Sequence, residues 1–121
     1  MAWMSQLLPQ EAELAPLPWE GAHVQSEAHA DAALLIDVRS YAEFMNGHLP
    51  GAHCLPLPRL AQEVLQRVPD RETPILLYCA TGARAEQALS LLRQLGYHTV
   101  RNGGCALDLA RRRGVLLQRG L

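Results

Sequence analysis

Lysine is absent from this 121-residue sequence, and all eleven of its basic residues are arginines. Schiff-base catalysis through a lysine amine is therefore excluded. Cysteine is scarce as well: the three residues Cys54, Cys79 and Cys105 are odd in number and widely spaced. This pattern is not typical of a disulfide framework and favours a reducing compartment.

A net charge of either sign is also nearly absent, because the formal charge is −1. This value argues against bulk attraction to nucleic acid or to an anionic membrane, so we expect neither as a partner. The charges are unevenly placed, with four arginines and ten acidic residues up to Cys79, and seven arginines and two acidic residues from Ala80 onward. The basic half suits attraction of a small anionic substrate, although a solvated arginine surface explains it equally well.

Long hydrophobic runs are missing too, and none approaches the length of a transmembrane helix. Residues 1–10 have neither the basic region nor the apolar core of a signal peptide. We therefore expect a cytoplasmic protein.

Hydrophobic residues make up 49% of the sequence, which is enough for one core at this length and predicts a single domain. Residues 1–22 contain three prolines among scattered apolar residues, which predicts an N-terminal arm ahead of a domain at 23–121. The sequence leaves open whether this arm forms a short helix on the domain, a dimer contact or a partial lid. A short helix is expected over 24–32.

Two apolar runs, 33–38 and 75–78, show no alternation of polar and apolar residues, as expected for strands covered on both faces of a parallel sheet. After the first run, Ser40 and Glu43 form a capping box, which predicts a helix that ends at Gly47. The remaining predicted elements are a strand at 52–55, a helix at 58–68, a helix that follows Cys79 and is capped by Gly96, a strand at 97–100, a tight turn at Gly103-Gly104, and a helix at 105–113 stopped by Gly114.

Strands that alternate with helices through short loops predict an α/β fold with a largely parallel sheet and right-handed crossovers. In such sheets, ligands bind beyond the carboxyl ends of the strands. Cys79 lies at one of these ends.

The segment around Cys79 is the candidate active site. A strand that enters a helix through a tight loop directs backbone N–H groups and the helix dipole at the loop, and both favour a thiolate. Gly82 lets the loop bend, and Arg84 adds a cation with bidentate geometry. The alternative is a buried structural cysteine at a strand end.

Several linked motifs resemble the rhodanese family in order and spacing, over roughly residues 24–113. They are Asp37-Val38-Arg39, Glu43-Phe44, Gly47-His48-Leu49-Pro50-Gly51-Ala52, Tyr78-Cys79 with Gly82 and Arg84, Leu95-Gly96-Tyr97, and Gly103-Gly104. The resemblance implies a rhodanese-like three-layer fold, with a five-stranded, mainly parallel sheet flanked by helices. It also implies sulfurtransferase activity.

By this resemblance, Cys79 is the catalytic thiol that carries a persulfide, and Ala80, Thr81, Gly82, Ala83 and Arg84 form the substrate-binding loop. The donor would be a small anion such as thiosulfate, or a persulfide. The acceptor would be cyanide, a thiol or a protein. No metal or organic cofactor is needed.

Two other functions are open for the same fold. One is a phosphatase or arsenate reductase, which also uses a cysteine in an anion-binding loop. Tyrosine-phosphatase-type loops place five residues between cysteine and arginine, whereas four separate Cys79 from Arg84, which disfavours this function. A sulfur-carrier or regulatory protein-binding domain would keep the thiol but show little turnover.

Three charged residues are expected to support the site. Asp37 and Arg39 flank the end of the first strand, where an ion pair with a structural role is the favoured interpretation. Glu43 is expected to act as the capping-box acid, with pairing to Arg84 as a second option.

The histidines and the other cysteines are expected to lie outside the chemistry. His48 and His53 near Cys54 lack the paired-ligand spacing of a zinc site, so no metal is expected. Cys54 and Cys105 are interpreted as small core residues, and the sequence does not place either of them relative to Cys79.

Overall fold

A parallel sheet of four strands lies at the centre of the region that the computed structural model describes, residues 32–121. In chain order the strands are β1 (Leu34–Asp37), β2 (His53–Cys54), β3 (Ile75–Cys79) and β4 (Val100–Cys105). The α-helices are α1 (Tyr41–Asn46), α2 (Leu60–Arg67), α3 (Ala83–Gln94) and α4 (Ala106–Arg113), and a 3-10 turn (Leu57–Arg59) precedes α2.

The strands follow the order β2-β1-β3-β4, and every pairing is parallel. The register of β1 against β3 runs from Leu34 opposite Ile75 to Asp37 opposite Tyr78. The carboxyl ends of all four strands therefore lie at the same edge of the sheet. Cys79 stands at this edge, as the sequence predicts.

Alternation along β3 separates two hydrophobic layers. Leu77 belongs to the core cluster that includes α2 and α3, where Ala85 and Ala88 are fully buried and let α3 approach the sheet closely. Leu76 points to the opposite face, where it lies beside Leu109 of α4 around Gly103. Helices thus cover both faces, and the predicted three-layer α/β architecture is confirmed.

The capping box that begins α1 is confirmed in detail. The Glu43 backbone N–H donates to Ser40 Oγ at 3.2 Å, and the Ser40 N–H donates to Glu43 Oε1 at 3.0 Å. Gly47 ends the helix, and its N–H donates to the carbonyl oxygen of Phe44 at 3.1 Å. The predicted glycine signals also hold at Gly96 after α3 and at Gly114 after α4, both of which have positive φ angles.

The predicted strand at 97–100 is wrong, since the strand begins only at Val100. The Tyr97 backbone N–H donates to the carbonyl oxygen of Leu92 at 3.0 Å, so this residue completes the end of α3. Its buried phenol donates to backbone carbonyls at the end of α2. The sheet has four strands within residues 32–121, whereas five are predicted for the whole chain.

The predicted tight turn at Gly103-Gly104 is also wrong, because both glycines lie within β4. A Cβ on Gly103 would lie 3.0 Å from the carbonyl oxygen of Leu77 and 3.3 Å from the side chains of Leu76 and Leu109. Gly104 has a φ of +89° and forms part of a bulge. The glycines therefore allow close packing and a strand irregularity instead of a chain reversal.

The predicted N-terminal arm at 1–22 lies outside the described residues, as does the predicted helix at 24–32 except for its last residue. Within residues 32–121, no helix is long and apolar enough to cross a membrane.

Candidate active site

The loop between β3 and α3 surrounds the thiol of Cys79. Cys79 is fully buried, whereas Ala80, Thr81 and Ala83 above it are exposed. The backbone N–H of Gly82 donates to the Cys79 sulfur, with a nitrogen–sulfur distance of 2.9 Å. The N-cap residue Gly82 has no side chain to cap α3, and the Ala83 N–H donates to the Thr81 hydroxyl at 3.4 Å, whereas the N–H groups of Arg84 and Ala85 act on the sulfur.

Two opposing effects act on the pKa of the Cys79 thiol. Burial raises the pKa, but the backbone N–H groups of Ala85, Thr81, Gly82 and Arg84 stabilise the thiolate, and the net effect is a lowered pKa. The thiolate is the nucleophilic form of cysteine. The loop can therefore present a nucleophile at a lower pH than an ordinary thiol.

The other two cysteines have different surroundings. Cys54 is buried, its thiol faces the carbonyl oxygen of Arg39 at 3.8 Å, and burial raises its pKa to about 11. This agrees with its interpretation as a core residue. Cys105 is only half-buried and caps α4, where its sulfur accepts from the Asp108 N–H at 3.4 Å.

Arg84 and Glu43 form a two-pronged ion pair at the loop. Both guanidinium nitrogens of Arg84 donate to the two carboxylate oxygens of Glu43, each at 2.8 Å. The hydrogen bonds from Arg84 lower the pKa of Glu43 to about 2 against the effect of burial, and the N–H and hydroxyl of Ser40 contribute in the same direction. Glu43 thus performs both of its predicted roles, and it neutralises the one charged side chain of the 80–84 loop.

Asn102 is a residue of this site that the sequence does not single out. Its amide nitrogen donates to the carbonyl oxygen of Gly82 at 3.1 Å and to Glu86 at 3.0 Å, and its amide oxygen accepts from the Gly104 N–H at 2.8 Å. Asn102 therefore ties the loop to the end of β4. The sequence offers one signal for this role, since Asn102 is a polar residue directly before the glycine pair. The prediction of a turn at these glycines gave no reason to assign it to the site.

Asp37 and Arg39 form a buried pair with several hydrogen bonds. Arg39 Nη2 donates to Asp37 Oδ2 at 2.7 Å and to the carbonyl oxygen of Gly47 at 2.6 Å, and the Arg39 backbone N–H donates to Asp37 Oδ1 at 2.9 Å. The Arg39 guanidinium lies 5.5 Å from the centre of the Tyr78 ring. These contacts fix the connection from β1 to α1 and so place Glu43 opposite the loop.

The histidines have contacts of another kind. His48 Nδ1 lies 2.9 Å from the carbonyl oxygen of Phe44, and the two rings stack at 3.7 Å. His53 is exposed at the start of β2. Among residues 32–121, no group of three or more histidine, cysteine or acidic side chains is placed to hold a metal ion.

Comparison with known proteins places this fold and loop in context. A model of the rhodanese-like domain matches residues 22–104. The chain is 33% identical over 75 residues to thiosulfate sulfurtransferase PspE of Escherichia coli K12, covering 62% of this chain and 72% of that protein. It is 36% identical over 78 residues to a sulfurtransferase of Allochromatium vinosum, covering 64% and 71% respectively.

A solved structure agrees with the sequence relatives. The structure of a rhodanese with anions from E. coli superposes with a TM-score of 0.67 at 30% identity, covering 74% of this chain and all of that one. The family match extends from residue 22 through the Cys79 loop to the glycines of β4. The chain belongs to the family of rhodanese-like domains, and its relatives include sulfurtransferases.

Proposed function

We propose that this protein is a thiosulfate sulfurtransferase-type enzyme that moves a sulfane sulfur from thiosulfate or a persulfide, through a Cys79 persulfide, to cyanide or a thiol. The observation that carries the proposal is the buried Cys79 sulfur with backbone N–H groups directed at it and a lowered pKa. Relatives that are named sulfurtransferases support the same reaction class.

The first half-reaction loads the thiol. The Cys79 thiolate attacks the outer sulfur of thiosulfate, the sulfur–sulfur bond of the donor breaks, and sulfite leaves with the electron pair. Cys79 then holds one additional sulfur as a persulfide anion. The N–H groups of the loop, which include that of Gly82, would stabilise this anion in the same way as they stabilise the thiolate.

The second half-reaction restores the enzyme. A cyanide ion or an acceptor thiolate attacks the outer sulfur, and Cys79 leaves as its stabilised thiolate. This is a double displacement by an activated cysteine, and electrons balance without an oxidant or a cofactor. A thiol on an acceptor protein would react by the same step.

The Glu43–Arg84 ion pair bears on the choice of donor. Because the Glu43 carboxylate neutralises Arg84, the loop attracts a doubly charged anion less than an unpaired arginine would. The backbone N–H groups remain as the main anion ligands. We infer that a persulfide of lower charge competes well with thiosulfate as the donor.

The test is the intact mass of the protein after incubation with thiosulfate and then with cyanide. We expect wild type to gain mass in steps of one sulfur atom and to release this sulfur as thiocyanate, and Cys79→Ser to gain none. Cys54→Ser is the matched control, because this buried thiol faces a carbonyl oxygen and should be dispensable for loading.

A low-molecular-weight persulfide is the second donor in this test. Loading by the persulfide alone would keep the Cys79 carrier and exclude thiosulfate. Loading by neither donor would refute the enzyme and favour the protein-binding domain. Loading of Cys79→Ser would assign the chemistry to another thiol.

A further inference from the structure

Cys105 lies directly beside the proposed nucleophile. It ends β4 as Cys79 ends β3, and the two residues are partners in the register of the parallel strands. Neighbouring strands lie about 4.8 Å apart, and sulfurs bond to one another across Cα separations of about 4.4–6.8 Å. The strand register therefore puts the two Cα atoms at a separation across which two sulfurs can react.

The bulge in β4 creates this pairing. Leu77 pairs with Asn102, so a regular ladder would place Gly104 opposite Cys79. The bulge instead sets three residues of β4 against two of β3 and brings Cys105 to that position. The positive φ of Gly104 and the hydrogen bond from its N–H to Asn102 hold the bulge.

We propose that Cys105 is a second sulfur carrier, which takes the sulfur from the Cys79 persulfide and presents it nearer to the protein surface. The Cys105 thiol loses its proton to solvent, and the thiolate attacks the outer sulfur. The bond between this sulfur and Cys79 breaks, and Cys79 leaves as a thiolate. The product is a Cys105 persulfide, and no oxidant or reductant takes part.

The surroundings of the two thiols favour this direction. Cys79 is fully buried, whereas Cys105 is half-buried and easier for a large acceptor to reach. The N–H groups around Cys79 lower the pKa of its thiol, which makes it the better leaving group. Cys54, with its raised pKa and its contact to Arg39, takes no part.

The proposal rests on the proposed function, because Cys79 must first carry a persulfide. Cleavage by trypsin after arginine puts the three cysteines on separate peptides: 40–59 carries Cys54, 72–84 carries Cys79 and 102–111 carries Cys105. Wild-type protein is loaded with thiosulfate or the low-molecular-weight persulfide, freed of donor, and alkylated with iodoacetamide after increasing times. The peptides are then analysed by mass without reductant.

We expect the additional sulfur first on peptide 72–84 and then on 102–111, at a rate that does not depend on protein concentration. In Cys105→Ser the sulfur should stay on peptide 72–84. This variant should fold, because serine is itself a good N-cap for α4. In Cys79→Ser neither peptide should be loaded. Cys54→Ser should match wild type.

Different failures separate the two proposals. Absence of sulfur from all peptides with both donors would overturn the proposed function and the relay together. Sulfur that stays on 72–84 in wild type would overturn the relay alone. A disulfide between 72–84 and 102–111 with release of sulfide would also overturn it, because attack would then fall on the inner sulfur. Loading of 102–111 in Cys79→Ser would make Cys105 an independent acceptor and contradict the relay.

Discussion

Replacement of Glu43 by glutamine tests how the ion pair with Arg84 tunes the proposed site. The variant keeps the shape of the side chain and removes its charge. A glutamine at this position can still complete the capping box of α1. The side chains of Arg84 and Glu43 are 38% and 36% exposed, so loss of the pair should cost only about 0.5 kcal/mol of unfolding free energy after solvent screening.

The effect on the donor should be larger than the effect on stability. One released positive charge acting on a doubly charged anion at about 8 Å, in the dielectric of water, contributes about 1 kcal/mol. This corresponds to a roughly fivefold lower KM for thiosulfate. A singly charged persulfide should gain about half of this energy, which is roughly a twofold lower KM.

The assay is steady-state kinetics with both donors at low and high ionic strength. The gain for thiosulfate should shrink as salt rises. Because the pKa of Glu43 is about 2, the carboxylate stays charged from about pH 5 to about pH 8, and the ratio of the KM values should be constant over this range.

Glu63→Gln is the matched control, because it changes the net charge of the protein by the same amount. It removes the charge from an ion pair with Arg59 that lies in the segment 57–67 and not in the Cys79 loop. An unchanged KM in Glu43→Gln would refute the role assigned to the ion pair. An equal change in Glu63→Gln would attribute the effect to net charge alone.

Three further predictions concern the thiols and the frame around them. Because the pKa of Cys79 is lowered, its alkylation rate should reach half its maximum below about pH 8.5, the value typical of a thiol. Because the pKa of Cys54 is raised, this thiol should be alkylated more slowly than Cys79 at neutral pH. Equal alkylation rates of the two peptides that carry these thiols would contradict both expectations. Gly103→Ala should lower the free energy of unfolding by about 1–3 kcal/mol, because its Cβ would lie 3.0 Å from a backbone oxygen, and an unchanged urea midpoint would contradict the packing. Asp37→Asn leaves the buried Arg39 without its charge partner and should lower the free energy of unfolding by about 3–5 kcal/mol in the same urea assay. A loss below about 1 kcal/mol would contradict the structural role of the pair.

The parallel sheet and the position of Cys79 could be predicted from the sequence because their signals are local. Strands β1 and β3 arise from continuous apolar runs, and a cysteine followed by a glycine and an arginine marks the turn into a helix. The Ser40–Glu43 capping box is also local, since its two residues are three positions apart.

The glycines of β4 could not be interpreted correctly, because their reason lies elsewhere in the chain. A turn and a bulge both favour glycine, and only the carbonyl of Leu77 on the neighbouring strand separates the two cases. The predicted strand at 97–100 failed for a similar reason. The aromatic ring of Tyr97 is typical of a strand, but it packs at the ends of two helices. The ion pair between Arg84 and Glu43 spans 41 positions, so the sequence could name both residues without deciding that they meet.

The contact between Gly82 and the end of β4 has a consequence for protein engineering. A Cβ on Gly82 would lie 3.6 Å from the Cα of Gly104, and the Gly82 carbonyl is held by Asn102. Insertion of a fifth residue between Cys79 and Arg84, as in phosphatase loops, would therefore displace a residue that β4 holds. Grafting such a loop onto this scaffold would require redesign of residues 102–104 at the same time. The loop and the end of β4 would therefore have to be exchanged together.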